Sequence, residues 1–412
     1  MMKKIIVWIV CILILVSCAP DGQEDEVLQT NEEETDQELS IVPSYRLATD
    51  NYKIILPYRT SEARGVITNQ VFNRLDIDEL EEGLQHHSKQ YFDPEKYYFE
   101  EGQYLTEEMV YDWLGRALSE DELEKMVEER IRQLEKDGRT VDEDEIREEL
   151  QTGLNPPIED MDGLDEEEKI NEHRENPRYI SHILEQNYLE RNEDNTVDLI
   201  GVSIGIALKS VYQFQTEIGG PTHYEEISER EMLEEGKKAA EKILNRVREI
   251  EALQNVPIMI ALYREAEQSS PVPGNFVVKT LVEEGATIEE WEEINENYVL
   301  FPSEESRENY FDDDQLIQNF SNDIVEYFPN YVGVVGEGFY VDDELKKLTL
   351  DIPLQFYGKS EVIGFTQYVY GLIKEMFPNH YDLEVKINSS DKMESFIYRS
   401  AGEEDIEVHI FH

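Results

Sequence analysis

The sequence predicts an α+β fold with a mainly antiparallel sheet or sheets and interleaved helices; a division into two lobes, about 45–215 and 216–412, is left open. Strand and helix patterns follow one another irregularly, and a regular βαβ alternation is absent. In three places a helix-like segment is followed by a proline and then by a strand pattern: NVPIMI (255–260), YFPNYVGVV (327–335) and MFPNHYDLEV (376–385). Proline cannot continue a helix and restricts the residue before it to extended conformations, so each segment predicts a helix-to-strand transition.

Three helices have the clearest signals. Two begin at capping boxes, Ser119-x-x-Glu122 and Ser228-x-x-Glu231, in which each end of the box satisfies a backbone N–H of the other. The first is predicted to end at Asp137-Gly138, and a third helix is predicted for 361–377. All three have apolar residues at helical spacing, which indicates one buried face each.

Strand patterns account for most of the remaining body. Strands are predicted at Tyr52–Pro57, Tyr179–Leu189, Leu199–Phe214, Val256–Leu262, Val277–Val282 (an edge strand), Tyr331–Tyr340, Leu348–Tyr357, Leu383–Ile387 and Glu407–Phe411, with Glu394–Arg399 as helix or strand. Residues 72–117 have no clean period, and 283–328 are interpreted as helix or loop. Residues 140–175 are acidic and interrupted by prolines, which indicates an exposed insertion.

The charge balance limits the possible partners. The chain has 37 Lys+Arg against 93 Asp+Glu, a formal charge of −56. Nucleic acid is excluded as a partner because its phosphates would be repelled, and an anionic membrane would repel the body as well. No sequence pattern requires a cofactor or a metal, so neither is predicted.

The N-terminus has the features of a secretory signal. Lys3 and Lys4 precede twelve apolar residues, Ile5–Val16, a run shorter than the about 20 residues of a membrane-spanning helix. The ending Leu15-Val16-Ser17-Cys18 resembles the lipobox of bacterial lipoproteins. That resemblance implies a signal peptide of residues 1–17, cleavage between Ser17 and Cys18, and a diacylglyceryl group on the Cys18 thiol. The alternative is an ordinary signal peptide in which Cys18 stands by chance.

Lipid attachment would define the location of the chain. Two acyl chains give stable membrane anchoring, so the expected location is the extracytoplasmic face of the cell membrane, after handling by lipoprotein-processing enzymes. Residues 18–44 are expected to form an acidic, disordered tether, because residues 19–40 contain nine acids and no Lys or Arg. Both cysteines, Cys11 and Cys18, precede the body, so disulfides are excluded there.

The sequence also contains motifs that could support chemistry. Gly201-Val202-Ser203-Ile204-Gly205 matches the G-x-S-x-G nucleophile elbow, which needs a strand, a sharp turn and a helix. Apolar alternation runs straight through the motif, so Ser203 is interpreted as a small inward residue on a strand. The eight histidines have no metal-ligand spacing and are expected at the surface or the terminus. Gly333-x-x-Gly336-x-Gly338 is interpreted as a close-packed strand, and Asp312-Asp313-Asp314 as a solvated loop with weak cation binding as the alternative.

One basic stripe stands out in this acidic chain. Lys238, Lys242 and Arg246 recur every four residues along a predicted helix, a spacing that places them on one face. The stripe is a candidate binding surface for an acidic partner. The alternative is pairing within the chain, beginning with Glu234 and Lys238.

Seven segments of the body carry a resemblance to a known family: YISHILEQNYLE (179–190), GVSIGIALKSVYQFQ (201–215), EGKKAAEKILNRVREI (235–250), NVPIMIALYREAEQSSPVPGNF (255–276), FPNYVGVVGEGFY (328–340), IPLQFYGKSEVIGFTQYVYGLIKEMFP (352–378) and VHIF (408–411). With these segments the chain resembles the CamS-type lipoproteins, precursors of bacterial sex pheromones. The resemblance implies that a short aliphatic peptide before the lipidated cysteine is released as a pheromone for a receptor on recipient cells. The corresponding residues are Cys11, Ile12, Leu13, Ile14, Leu15, Val16 and Ser17. The alternative is that they form only the core of the signal.

The sequence therefore predicts an outward-facing lipoprotein that is not an enzyme. Its signal supplies a pheromone-like peptide, and its body is a binding module whose ligand the sequence does not identify. One alternative is an extracytoplasmic solute-binding lipoprotein of a transporter, which needs two α/β lobes with parallel sheets around a cleft. The other is a serine hydrolase that uses Ser203.

Overall fold

The structure, a computed structural model, describes residues 26–30, 39–42, 51–71, 73–136, 142–192, 196–328, 333–355, 358–390 and 392–411. The helices are α1 (Ile67–Gln70), α2 (Arg74–Ser88), α3 (Glu107–Leu114), α4 (Glu120–Lys136), α5 (Glu143–Leu150), α6 (Glu166–Glu175), α7 (Glu229–Glu249), α8 (Glu304–Asn309), α9 (Phe311–Tyr327) and α10 (Lys359–Met376), with 3-10 turns at Glu62–Gly65 and Glu251–Leu253. Among these residues, no helix is both long enough and apolar enough to span a bilayer.

The strands are β1 (Glu26–Thr30), β2 (Leu39–Val42), β3 (Lys53–Ile54), β4 (Tyr98–Glu101), β5 (Ile180–Arg191), β6 (Thr196–Leu208), β7 (Val211–Phe214), β8 (His223–Glu226), β9 (Ile258–Arg264), β10 (Asn275–Val282), β11 (Glu292–Glu293), β12 (Glu296–Phe301), β13 (Val335–Val341), β14 (Glu344–Pro353), β15 (Asp382–Asn388), β16 (Met393–Arg399) and β17 (Glu407–Ile410). The segment 18–44, predicted as a tether, contains β1 and β2, which the sequence did not predict. Residues 1–17, predicted as a signal peptide, and Cys18 lie outside the described residues.

Nine strands form the large sheet, in the order β11-β10-β9-β6-β5-β4-β3, with β1 pairing β2 and β6. Its centre is a long antiparallel pair, β5 with β6, and a parallel pair, β6 with β9. Helix α7 makes the crossover between β6 and β9, and the Ser228 hydroxyl caps it by accepting from the Glu231 N–H. This helix and its cap are predicted correctly from the sequence.

Helices pack on both faces of the large sheet. The side chains of β9 point alternately to the two faces and contribute to a hydrophobic cluster on each. Ile258, Ile260 and Leu262 pack with the buried stripe of α7. Met259, Ala261 and Tyr263 point the other way and pack with the apolar side of α2. Helices α2 and α7 therefore lie on opposite sides of this sheet.

Six strands form the small sheet, in sequence order from β12 to β17. Its pairs are antiparallel except β14 with β15, which are parallel and connected through α10. One face of this sheet packs against α9 and α10 around Phe320, Phe365 and Leu350, all fully buried. The other face turns towards α2.

The prediction of a mainly antiparallel α+β fold is confirmed, with the addition that both sheets are mixed. Parallel pairing occurs at β6–β9 and β14–β15, where a helix connects the two strands, and also at β3–β4 and β1–β6. The boundary between the sheets lies between Glu293 and Glu296 rather than near residue 215, because β9 and β10 belong to the large sheet.

Several local predictions differ from the structure. The range 72–117, without a clean period, contains α2, β4 and α3, and the range interpreted as helix or loop contains β12. The predicted strand Leu199–Phe214 is divided into β6 and β7 at Lys209 and Ser210. The acidic range 140–175 is not wholly exposed, because Asn155 is fully buried and its side chain bonds the backbone of Leu114 and Ile180.

Candidate functional site

A cleft of about 1020 Å³ lies between α2 and the small sheet. It is lined by Asn51, Tyr52, Lys53, Ile54, Glu79, Glu82, Gly83, Gln85, His86, His87, Lys89, Glu296, Tyr298, Phe339, Lys347, Asp382, Glu384 and Tyr398. A recess of about 210 Å³ beside it shares Glu79, Glu82, Tyr298, Phe339 and Lys347 with the cleft. The volume of the cleft itself, without the recess, is at the upper end of the about 300–1,000 Å³ typical of ligand pockets.

Helix α2 supplies one wall of the cleft, and its position depends on a buried acid. Asp76 in its first turn is 1% exposed and accepts hydrogen bonds from Tyr263 Oη (2.8 Å) and the Gly274 N–H (2.7 Å). The Ala266 N–H also points at this carboxylate. Burial raises the pKa of Asp76 to about 6, against the lowering effect of these donors. Asp76 thus fixes α2 to β9 and to the loop that follows it.

A second buried pair joins α2 to the small sheet at the base of the cleft. His87 Nε2 lies 3.2 Å from the Glu296 carboxylate, and both side chains are buried. The edge of the His87 ring also contacts Phe276 of the large sheet, with centroids 5.0 Å apart. This pair connects the last turn of α2 with the first residue of β12.

A third contact places a titratable acid in the cleft wall. Tyr298 Oη donates a 2.6 Å hydrogen bond to Glu79. Burial raises the pKa of Glu79 to about 7, and the nearby carboxylates of Glu296 and Glu82 add to this effect. Burial and the charge of Glu79 raise the pKa of Tyr298 in turn.

The opposite wall is the outer face of the small sheet, on which aromatic and charged side chains alternate with the buried ones. The Tyr298 and Phe339 rings lie 4.7 Å apart on neighbouring strands. Next to them, Lys347 pairs with Glu384 at 2.9 Å. Half-exposed rings beside carboxylates suit a ligand that has both apolar faces and N–H or O–H donors.

The residues predicted from the sequence lie elsewhere. Ser203 is fully buried in the middle of β6, with its hydroxyl 3.0 Å from Tyr188 Oη. A nucleophile elbow requires an exposed serine on a strand-to-helix turn, so this position is incompatible with one. The mixed sheets also differ from the parallel sheets that the solute-binding alternative requires.

The basic stripe lies on α7, on the side of the large sheet opposite α2. Lys238 pairs with Glu234 (3.1 Å) and Glu235 (2.8 Å). Arg246 donates to the carbonyl oxygens of Gln151 and Thr152 and lies over the Trp113 ring, whereas Lys242 is exposed. Two of the three cations are therefore engaged within the chain.

The sequence interpretation of the histidines was wrong for two of them, because His87 and His182 are buried. It was also wrong for the aspartate run, which forms the first turn of α9 rather than a loop. There Asp314 is buried and accepts a 2.7 Å hydrogen bond from Ser306 Oγ. The glycine interpretation was correct for Gly336 and Gly338, where an added Cβ would press against neighbouring side chains of the sheet. It was wrong for Gly333, which precedes β13, has a φ of +152° and has no atom within 4 Å of an added Cβ.

Sequence reasoning missed the whole cleft, although one signal was present. Asp76, Leu80, Gly83, Leu84 and His87 are buried at helical spacing along α2. The pattern was not recognised because its first and last members are polar, and their partners lie about 190 or more residues away in the chain.

The described residues thus define an α+β protein with two large mixed sheets, a short β7–β8 ribbon and a polar cleft between α2 and the small sheet. Within these residues, no cluster of His, Cys, Asp and Glu has the arrangement of a metal site. Residues 58–405 match the family described as "CamS sex pheromone cAM373 precursor", and the chain belongs to that family.

Two solved structures are similar over most of the chain. One is a sex pheromone precursor from Lactobacillus salivarius subsp. salivarius UCC118, with 32% identity, a TM-score of 0.76, and coverage of 90% of this chain and 99% of the other. The second is the C-terminal domain of the sex pheromone staph-cAM373 precursor from Staphylococcus aureus, with 27% identity, a TM-score of 0.67, and coverage of 84% and 99%. Among curated proteins, none has a significantly similar sequence.

Proposed function

We propose that this chain is an outward-facing lipoprotein, anchored to the cell membrane through Cys18, whose signal peptide releases a short aliphatic pheromone. The single observation that supports this most is the sequence Leu15-Val16-Ser17-Cys18, placed directly after an apolar run in a chain of the sex pheromone precursor family. The segment Cys11–Ser17, CILILVS, is the proposed peptide.

The proposal is physically consistent with the rest of the sequence. An apolar run of twelve residues is too short for a permanent spanning helix, so a lipid is the anchor that remains. The acidic residues after Cys18 would be repelled by an anionic bilayer, which would hold the body away from the membrane. The released peptide is aliphatic enough to enter an apolar receptor groove.

Replacing the proposed lipid-bearing cysteine tests the anchor. The Cys18→Ser chain should incorporate no labelled fatty acid and should retain its signal peptide, whereas the matched Cys11→Ser chain should be labelled and processed normally. Processing of Cys18→Ser at the normal position would contradict lipid attachment at Cys18.

The pheromone is tested separately with synthetic CILILVS. It should induce clumping or plasmid transfer in responding cells, while a peptide of the same composition in scrambled order should not. Equal responses to the two peptides, or none in several responsive strains, would remove the pheromone from the proposal and leave the anchor standing.

We also propose that the body is a binding module rather than an enzyme, and that the cleft between α2 and the small sheet is its binding site. Aromatic rings beside acids favour an extended ligand with amino or amide groups, such as a short peptide. Peptides of graded positive charge should bind the full chain, and Phe339→Ala should weaken that binding. Phe311→Ala, which removes an exposed ring outside the cleft, is the control. An equal loss of peptide affinity in both variants would argue against the cleft as the binding site.

A further inference from the structure

A second, smaller cavity lies beside the large sheet, where β4 ends and β5 continues with a strand, β6, on its other side only. Its volume is about 190 Å³, and it shares only Glu82 and Gln85 with the cleft. The 3-10 turn Glu62–Gly65, α1 and the loop 102–105 close it from outside. This volume is below the about 300–1,000 Å³ of drug-sized pockets, so the cavity suits a small molecule.

Much of the cavity wall is apolar. It is formed by Ala63, Ile67, Phe99, Leu105, Ile183 and Leu184, all buried or half-buried. Such a wall stabilises an aliphatic or aromatic group by removing it from water.

The cavity also contains a buried polar group without a partner. His182 on β5 lines it and is 1% exposed, and its Nδ1 has no hydrogen-bond partner among the described residues. Burial lowers the pKa of His182 to about 3, so the ring is neutral. Buried polar atoms are normally hydrogen-bonded, so this nitrogen is a candidate acceptor for an N–H or O–H group of a molecule in the cavity.

Two of the four carboxylates around the cavity are already satisfied. Glu185 accepts backbone N–H groups of residues 103–105, the shortest at 2.6 Å from Leu105. Glu101 accepts from the Ser61 N–H (2.8 Å) and the Tyr58 hydroxyl and pairs with Arg64 (3.1 Å). These two acids build the cavity walls and are not available to a ligand.

Glu81 differs from both. It lies on the side of α2 that faces the cavity, and its carboxylate accepts no hydrogen bond from any described residue. Its backbone carbonyl accepts from Gln186 of β5, which fixes this turn of α2 against the strand. Arg64 lies near it but is engaged with Glu101. The cavity therefore has a half-buried carboxylate without a hydrogen-bond donor among the described residues, a buried imidazole nitrogen without a partner, and an apolar wall.

We propose that this cavity binds a small primary amine that has an aliphatic or aromatic group, with the ammonium at Glu81, the apolar group on the Ile67 and Leu105 side, and a hydrogen bond to His182. Four carboxylates against one guanidinium favour a cation over an anion at this position. A free amine and the N-terminal residue of an apolar peptide share this chemistry. The inference goes beyond the proposed function and depends on neither the lipid nor the cleft.

Calorimetric titration of the full chain tests the proposal with four probes: isobutylamine, its neutral counterpart isobutanol, L-leucinamide, and a Leu-Leu dipeptide amide. Isobutylamine should bind at least about tenfold more tightly than isobutanol, since only the amine forms a charge-assisted bond. Tighter binding of isobutylamine and leucinamide than of the dipeptide amide would identify a free amine as the ligand. Tighter binding of the dipeptide amide would identify a peptide N-terminus.

Glu81→Gln should weaken amine binding about tenfold and leave isobutanol binding unchanged. Glu124→Gln, which neutralises an exposed acid on α4 outside the cavity, the cleft and its recess, is the control and should bind like the unaltered chain. The proposal would be overturned if no probe saturates the chain, if isobutanol binds as tightly as isobutylamine, or if Glu81→Gln and Glu124→Gln behave alike.

Discussion

Replacing Glu79 by glutamine should remove a pH dependence of stability that originates in the cleft. The glutamine amide oxygen can still accept the hydrogen bond from Tyr298, so the substitution removes the titration and keeps the contact. The effect should therefore be seen in how stability changes with pH.

The magnitude follows from the pKa of this carboxyl group. In the folded chain the pKa of Glu79 is about 7, above its ordinary value of 4.5, because burial disfavours the charged form. The folded state consequently binds the proton more tightly than the unfolded state does. The resulting stabilisation is complete below about pH 4.5 and is lost as the pH rises through about 7. Between about pH 5 and about pH 8 it should fall by about 2.5 kcal/mol.

Urea unfolding of the full chain, followed by tryptophan fluorescence, provides the assay at these two pH values. The difference in unfolding free energy between the unaltered chain and Glu79→Gln should change by about 2.5 kcal/mol from about pH 5 to about pH 8. Glu124→Gln neutralises an exposed acid on α4, which is not among the carboxylates that act on Glu79, and its difference should stay nearly constant. A Glu79→Gln variant that keeps the full pH slope of the unaltered chain would refute the reasoning.

Three further substitutions should shift the urea midpoint of the full chain at constant pH. Asn155→Ala should lower the free energy of unfolding by about 3 kcal/mol, because it leaves several buried backbone groups without a partner. A decrease below about 1 kcal/mol would mean that water replaces the amide. Ser203→Ala should lower the free energy of unfolding by only about 1 kcal/mol, the contribution of its hydrogen bond with Tyr188. A much larger decrease would contradict the interpretation of Ser203 as a small buried residue with one hydrogen bond. Gly274→Ala should cost about 3 kcal/mol or more, since the added Cβ would overlap the backbone carbonyl oxygen of Arg264; an unchanged midpoint would show that this loop can move.

Local sequence patterns were sufficient to predict a helix or strand wherever its buried face consists of apolar residues. The capping box predicts where α7 begins, and the predicted range 361–377 lies within two residues of the observed ends of α10. The alternation in 199–208 also predicts that Ser203 points inward. In these elements the hydrophobic effect acts on a pattern that is visible in a window of about 11–18 residues.

The same reasoning failed for α2, although this helix forms a wall of the cleft. Its buried side contains Asp76 and His87, which local patterns assign to solvent. Their burial is compensated by the Gly274 N–H and by Glu296, groups that only the folded chain brings near. A polar residue whose partner is distant in sequence has no local signature.

The sequence by itself determined the apolar run before Cys18, the strong negative charge, the order of most helices and strands, and the resemblance to the sex pheromone precursors. These are properties of contiguous residues, so a window of sequence contains them. Only the tertiary structure decided that β6 and β14 each pair in parallel with the strand after a crossover helix, and that α2 and the small sheet enclose a cleft. Strand pairing and the burial of charged groups depend on contacts between distant segments, and the free energy of those contacts exists only once the chain has folded.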